Sequence, residues 1–303
     1  MSKPQISSDE AVVRPRDLDT INLNVAHATL RVRSFGLTDT GKVRDTNEDQ
    51  FLIGVLRKAL EVQQTSLPQQ PKVQHACDQG YLFVVADGMG GRAGGERASA
   101  LAIDSVETFM LETLKWFFQF KGKEEDKVLA EFHSALGQAN ARVLTEAAQH
   151  PQLRGMGTTL TLAYSLNDLL FVAHVGDSRC YLCRQRILYR LTRDHTLVQD
   201  MVRVGALRAE DADQHRLRHV ITNVVGGDFA EVKVEVHKVQ LEADDAVLLC
   251  SDGLTNMLAD EEIARILQAE VDPERACRRL VGRANEEGGK DNITVMLARY
   301  ESA

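Results

Sequence analysis

The sequence predicts an α+β fold built on antiparallel sheets. Three observations carry that expectation. Short apolar segments at residues 158–164, 169–175, 180–184 and 187–191 follow one another at hairpin spacing. Two long segments of helical periodicity, 95–120 and 125–149, stand side by side in the chain. No internal repeat is visible, and strands gathered around a helix pair differ from the strict alternation that builds a parallel sheet.

The elements can be taken in order. Residues 1–30 are polar and weakly periodic, so a loosely ordered extension is expected ahead of a single domain over 31–300. Residues 50–56 and 81–86 read as strands. The span between them, 57–80, contains QQTSLPQQPKVQ and predicts an exposed Gln/Pro-rich excursion joining two neighbouring strands. In the first helix apolar residues recur at Ala102, Ile103, Val106, Phe109, Met110 and Phe117. In the second they recur at Val128, Leu129, Phe132, Leu136, Ala139 and Val143. Both stripes read as core-facing. After the hairpin strands, 196–204 reads as helix, 232–240 and 246–250 as strands, 260–268 and 273–285 as helices, and 293–299 as a last strand.

Composition excludes several classes. Hydrophobic content of 44% and charged content of 26% over 303 residues suit a globular chain with a sizeable core. A net charge of −8 argues against nucleic acid or an anionic membrane as the general partner. No apolar run has membrane-spanning length and residues 1–20 lack the apolar core of a signal peptide, so the cytoplasm is the expected location. Of the five cysteines, Cys180 and Cys183 form C-x-x-C inside CYLC. On a strand two such side chains point to opposite faces, and no second Cys or His pair accompanies them, so buried structural thiols are expected.

Carboxylates recur in one setting. In YLFVVADGMGG (81–91) an apolar strand runs into Asp87, and in AVLLCSDG (246–253) another runs into Asp252. RDTNEDQFLI places Glu48 and Asp49 just before a strand, and KDNITVMLARY places Asp291 before another. In antiparallel pairs the end of one strand lies beside the start of its neighbour, so all five acids can gather on one edge. Each Asp-Gly taken alone is an ordinary turn signal, and strand-starting acids are commonly just solvated. Gathered together they would repel one another unless divalent cations relieved the charge, and oxygen donors without His or Cys favour Mg²⁺ or Mn²⁺.

The ordered set RxxNED (Arg44 to Asp49), ADGMGG, GTT, HVGDSR, LTRDHT, SDGL and KDN resembles the metal-dependent protein phosphatases of the PP2C type (PPM family), in their bacterial branch. The resemblance covers roughly residues 31–300. It implies a four-layer αββα sandwich, two packed antiparallel sheets flanked by helices. It also implies hydrolysis of phosphoserine and phosphothreonine in proteins, by a water bridging two Mn²⁺ or Mg²⁺ ions. By motif match Asp87 would bridge the ions, with the Gly88 carbonyl and Glu48 on one and Asp252 and Asp291 on the other. Asp49 would act through bound water, Asn292 would shape the Asp291 loop, and Asp177 with Asp252 would hold a third, weaker ion. Arg44 would bind the phosphate, for which a guanidinium fork is suited.

Two departures matter. The eukaryotic branch has a histidine directly after the Asp-Gly, thought to protonate the leaving oxygen; here the residue is Met89, which has no proton to give. Residues 198–227 look like the family's flap, but HRLRH departs from the His-Pro-x-Arg form of many relatives. Its Arg203, Arg208, Arg216 and Arg218 read either as a basic rim for phosphorylated segments or as ordinary surface arginines. His174 is expected to be a satisfied core histidine, and the segment around His195 to serve turn and helix-capping roles. The partners implied are phosphoproteins and a cognate bacterial Ser/Thr kinase, with the enzyme a monomer. A catalytically inactive phosphoprotein-binding module and a small-molecule phosphoesterase are the alternatives.

Overall fold

The computed structural model describes residues 30–61, 73–91, 93–113, 125–212, 214–228 and 231–302. The chain opens with β1 (Leu30–Asp39), β2 (Asp49–Glu61) and β3 (Val73–Met89), then α1 (Gly94–Thr113) and α2 (Glu125–Gln149). Five strands follow: β4 (Gly157–Thr158), β5 (Leu160–Leu166), β6 (Leu169–Val175), β7 (Arg179–Arg184) and β8 (Ile187–Arg190). The flap carries α3 (Leu197–Arg203), α4 (Ala209–Ala212) and β9 (Val225–Gly226). The remainder is β10 (Glu235–Gln240), β11 (Ala246–Cys250), α5 (Asp252–Thr255), α6 (Asp260–Ala269), α7 (Pro273–Glu286) and β12 (Ile293–Ser302).

The strands form two antiparallel sheets. One has five strands in the order β1-β12-β11-β7-β8, and the other seven in the order β10-β6-β5-β3-β4-β9 with β2 on β3. Side-chain alternation along each central strand divides the core into three layers. On β3, Leu82, Val84 and Ala86 face α1 and α2, while Phe83 and Val85 face the other sheet. On β11, Val247 and Leu249 join that middle layer, whereas Ala246, Leu248 and Cys250 lie under α6 and α7. The αββα sandwich follows, and it explains why these strands read as unbroken apolar runs: both faces are covered. Cys180 and Cys183 obey the same rule, one in the middle layer and one under α6 and α7, both buried and free.

The structure corrects four readings. β1 went unread because LRVRSFGLTD is half polar; as an edge strand it pairs only with β12 and stays mostly half-buried. The 57–80 span is not simply an excursion, because β2 runs on to Glu61 and β3 begins at Val73, the two pairing at Glu61↔Val73. Gln-rich composition reports solvation, and a two-stranded ribbon can be solvated while its backbone ladder continues. The one-piece strand at 158–164 breaks at Thr159, with β4 pairing β3 and β9 while β5 pairs β6. Asp87 does not end its strand either, since β3 continues to Met89 after exchanging β5 for β4. The 1–30 extension apart from Leu30, residues 62–72 of the excursion and the end of the first helix with Phe117 lie outside the described residues.

Candidate metal and phosphate site

At one rim of the sandwich a cavity of about 890 Å³ is lined by Arg44, Glu48, Asp87, Gly88, Met89, Asp177, Arg218, His219, Asp252, Lys290 and Asp291, among others. Every candidate ligand except Asp49 lines it, and Asp49 is buried. Asp49 and Asp87 are opposite one another in the β2–β3 register. Asp252 and Asp291 flank the other sheet, one just past the end of β11 and the other just ahead of β12, two strands that pair with each other. Asp177 sits in the turn between β6 and β7, where the chain passes from one sheet to the other.

Side chains from neighbouring motifs hold several of these acids in place. At the partner exchange of β3, the Asp87 N–H donates to Thr159 Oγ1 at 2.9 Å, and its carbonyl accepts from Thr159 N and Thr158 Oγ1, both at 2.9 Å. The GTT motif therefore clamps Asp87. Asn292 does the same for the opposite rim. Its Oδ1 accepts from Glu48 N at 2.8 Å, and its Nδ2 donates to the carbonyls of Thr40 and Thr46, at 3.0 and 2.9 Å. Asp252 begins α5 rather than a hairpin turn, and its Oδ2 accepts from Asn256 Nδ2 at 2.9 Å, one helical turn on. Gly253 is required there, because a Cβ would collide with the Asn292 carbonyl.

Electrostatics set this rim apart. Burial, and then the charges of Asp49, Asp252, Asp177 and Asp291, hold the Asp87 carboxyl well above its ordinary range. Burial likewise pushes Asp49 up to about 7 and, with Asp291, Asp252 up to about 6. Asp177 is raised by burial and by the Asp252 and Asp194 charges, and Glu48 chiefly by burial. The cation paired with the rim is Arg44, whose Nη2 donates to Asp291 Oδ2 at 2.8 Å. Asp49 is 2% exposed; its Oδ2 takes the Ser251 hydroxyl at 2.7 Å, and its Oδ1 is buried with no hydrogen-bond partner. An orphaned buried carboxylate oxygen among five other raised or crowded acids fits hard divalent cations and their water.

The histidines divide. His174 is fully buried, accepts from Thr161 Oγ1 at 2.8 Å and donates to the Arg193 carbonyl at 3.1 Å, a satisfied core residue; burial lowers its pKa to about 4. His195 Nδ1 accepts from Gly176 N at 3.1 Å and from Asn223 Nδ2 at 2.9 Å, so Nε2 carries the hydrogen and faces Glu235 at 3.6 Å. His174, His195 and Glu235 each bring a possible ligand atom within 4.8 Å of the others. The two Nε2 atoms face acceptors as donors, however, so the trio holds the Gly176 backbone instead of offering lone pairs to a metal. Thr196 caps α3. The GDSR and RDHT motifs are further locked by Arg179, which donates to both carboxylate oxygens of Asp194 at 3.1 and 2.8 Å.

On the flap, Arg203 pairs with Asp200, and Arg208 with Glu210 and Asp211. Both are spent on their own helices, which removes them from any basic rim. Of the four flap arginines, Arg218 lines the cavity. Sequence reading passed over Thr159, Asn256 and His219 as individual contributors. Asn256 lies four residues after Asp252, a spacing that becomes a signal only once α5 is known; Thr159 had only its place in GTT, and His219 only its place in the flap.

A two-sheet sandwich with a carboxylate rim defines a class of protein that gathers hard divalent ions with oxygen donors alone. The chain belongs to the Protein phosphatase 2C family, whose model matches residues 61–298. The serine/threonine phosphatase stp of Listeria monocytogenes is 32% identical over 264 residues, spanning 87% of this chain and 94% of that protein. The crystal structure of the Mycobacterium tuberculosis serine/threonine phosphatase PstP/Ppp superposes with a TM-score of 0.71 at 32% identity, covering 89% of this chain and 99% of that one. A PstP catalytic domain in complex with two manganese ions matches with a TM-score of 0.68 at 31% identity, over 90% of this chain and all of that one. Among the described residues no helix is long and apolar enough to cross a membrane.

Proposed function

We propose that the chain hydrolyses phosphoserine and phosphothreonine in proteins at this rim, reversing the action of a bacterial Ser/Thr kinase in the cytoplasm, as a monomer. The observation that carries the reading is the meeting of Asp49 and Asp87 from one sheet with Asp252 and Asp291 from the other around one cavity. Asp87, the Gly88 carbonyl and Glu48 would hold one Mn²⁺ or Mg²⁺, and Asp87, Asp252 and Asp291 the other. Asp49 would act through bound water, and Asp177 with Asp252 would take a weaker third ion. Bound there, the ions supply an acidified water and positive charge to clamp the phosphate.

The chain's own residues do the rest. Arg44, held over the cavity by Asp291, presents its fork to the phosphoryl oxygens, where negative charge spreads in the transition state. Asn292 and Thr159 fix the two strand ends so that the acids need not reorganise. Asn256 orients Asp252.

A phosphothreonine peptide assayed with Mn²⁺ or Mg²⁺, with excess chelator, and with Asp252→Ala tests this. Turnover is expected only with metal and intact Asp252, the variant losing at least about a thousandfold in kcat, roughly 4 kcal/mol. Undiminished turnover in chelator, or none from the metal-loaded wild type, overturns the reading.

A further inference from the structure

The reaction needs a proton that the ligand set is not free to give. A serine or threonine oxygen leaves poorly as an alkoxide, and a positioned acid contributes about 10²–10⁴-fold to such a step. Met89 lines the cavity beside Gly88 but has nothing to donate. Carboxylates that hold cations are ionised, and guanidinium and ammonium groups keep their protons at neutral pH. The cavity wall otherwise offers one imidazole, His219.

Two other histidines nearby are committed. Both ring nitrogens of His174 are hydrogen-bonded within the core, and His195 is tied to Gly176, Asn223 and Glu235. His215, whose Nδ1 accepts from Leu217 N, lines neither chamber. His219 is exposed, and it also lines the adjoining chamber of about 310 Å³ that shares Asp177 and Asp252 with the main cavity. It therefore stands at the junction of the two spaces. Its backbone is not free to wander. Around it, Val220 N closes a turn on the Leu217 carbonyl at 3.1 Å. After it, Leu197 N donates to the Val220 carbonyl at 2.8 Å, and Thr196 bridges Ile221.

We propose that His219 is the acid that protonates the serine or threonine oxygen as it departs. Water oxygen bonds to phosphorus while the bond from phosphorus to the side-chain oxygen breaks. The electron pair stays on that oxygen, which takes the imidazolium proton and leaves as a free hydroxyl. The proton given up by the water, passed through solvent, restores the imidazolium, and inorganic phosphate is the second product. The flap thus supplies the group that the Asp-Gly segment lacks. The proposal rests on the phosphatase reading above.

The test compares Mn²⁺-loaded wild type with His219→Gln on a phosphothreonine peptide and on p-nitrophenyl phosphate, whose nitrophenolate leaves unaided. The expected result is a fall of about a hundredfold or more in kcat on the peptide, with kcat on the nitrophenyl ester within about threefold of wild type. Across a series of aryl phosphates, log kcat should fall more steeply with leaving-group pKa in the variant. Equal losses on both substrates, a loss confined to KM, or no loss overturns the assignment. Wild type that turns over the peptide beside an unchanged variant removes His219 alone; wild type that fails on the peptide with metal present removes the phosphatase reading itself.

Discussion

Asp49 and His174 are both buried titratable groups, and they respond to pH in opposite senses. Asp49 has a folded pKa of about 7, above the ordinary carboxylate range, so in metal-free protein its contribution is full at low pH and is lost as pH rises towards 7. His174 has a folded pKa of about 4, below the ordinary 6.5, because burial disfavours the charged ring. The unfolded chain takes up that proton first, so stability falls as pH drops from about 6.5 to 4, by roughly 3 kcal/mol. Urea denaturation of wild type and His174→Gln across that window isolates the effect: the wild type should lose about that much more than the variant on acidification. A parallel pair of pH profiles would refute the neutral, buried imidazole. At this scale the sequence was readable where chemistry is written into a neighbourhood. Asp87 and Asp252 each end an apolar run before Gly, so both were visible. Thr159, His219 and Asn292's grip on Thr40 were not, because their partners lie far away in the chain.

Elements were legible wherever apolar periodicity was strong. α2 occupies the residues its stripe predicted, and β11 ends where AVLLC ends. The failures have a common cause: β1, the distal β2–β3 ribbon and the break at Thr159 are set by pairing partners rather than by local composition. The break is where function enters. β3 leaves β5 at Val85 and joins β4 at Gly88, and in the gap a threonine hydroxyl takes the place of a strand. Thr159→Val keeps the shape and removes that acceptor, leaving the Asp87 N–H buried without it. The expected cost is about 1–3 kcal/mol in urea denaturation, with weaker Mn²⁺ binding by calorimetry. Unchanged metal affinity would mean that the backbone clamp does not position Asp87.

Across the whole molecule the two sheets are joined by an apolar middle layer over most of their area, and at one rim they meet through acids. Asp49 and Asp87 belong to the seven-stranded sheet, Asp252 and Asp291 to the segments flanking the five-stranded one. The antiparallel sheets were legible from hairpin-spaced strands, and the layered architecture from the resemblance that the motif order carries; which acids oppose one another across the sandwich was not, since that depends on how the sheets stack. The stacking has a mechanical consequence. With the ions stripped away, like charges press the sheets apart at that end as a wedge would, and mobile salt ions should blunt the wedge by screening. In chelated protein at pH 8, raising ionic strength from about 0.01 to 1 M, which shortens the Debye length from about 30 to 3 Å, should lift the melting temperature more than in Mn²⁺-loaded protein.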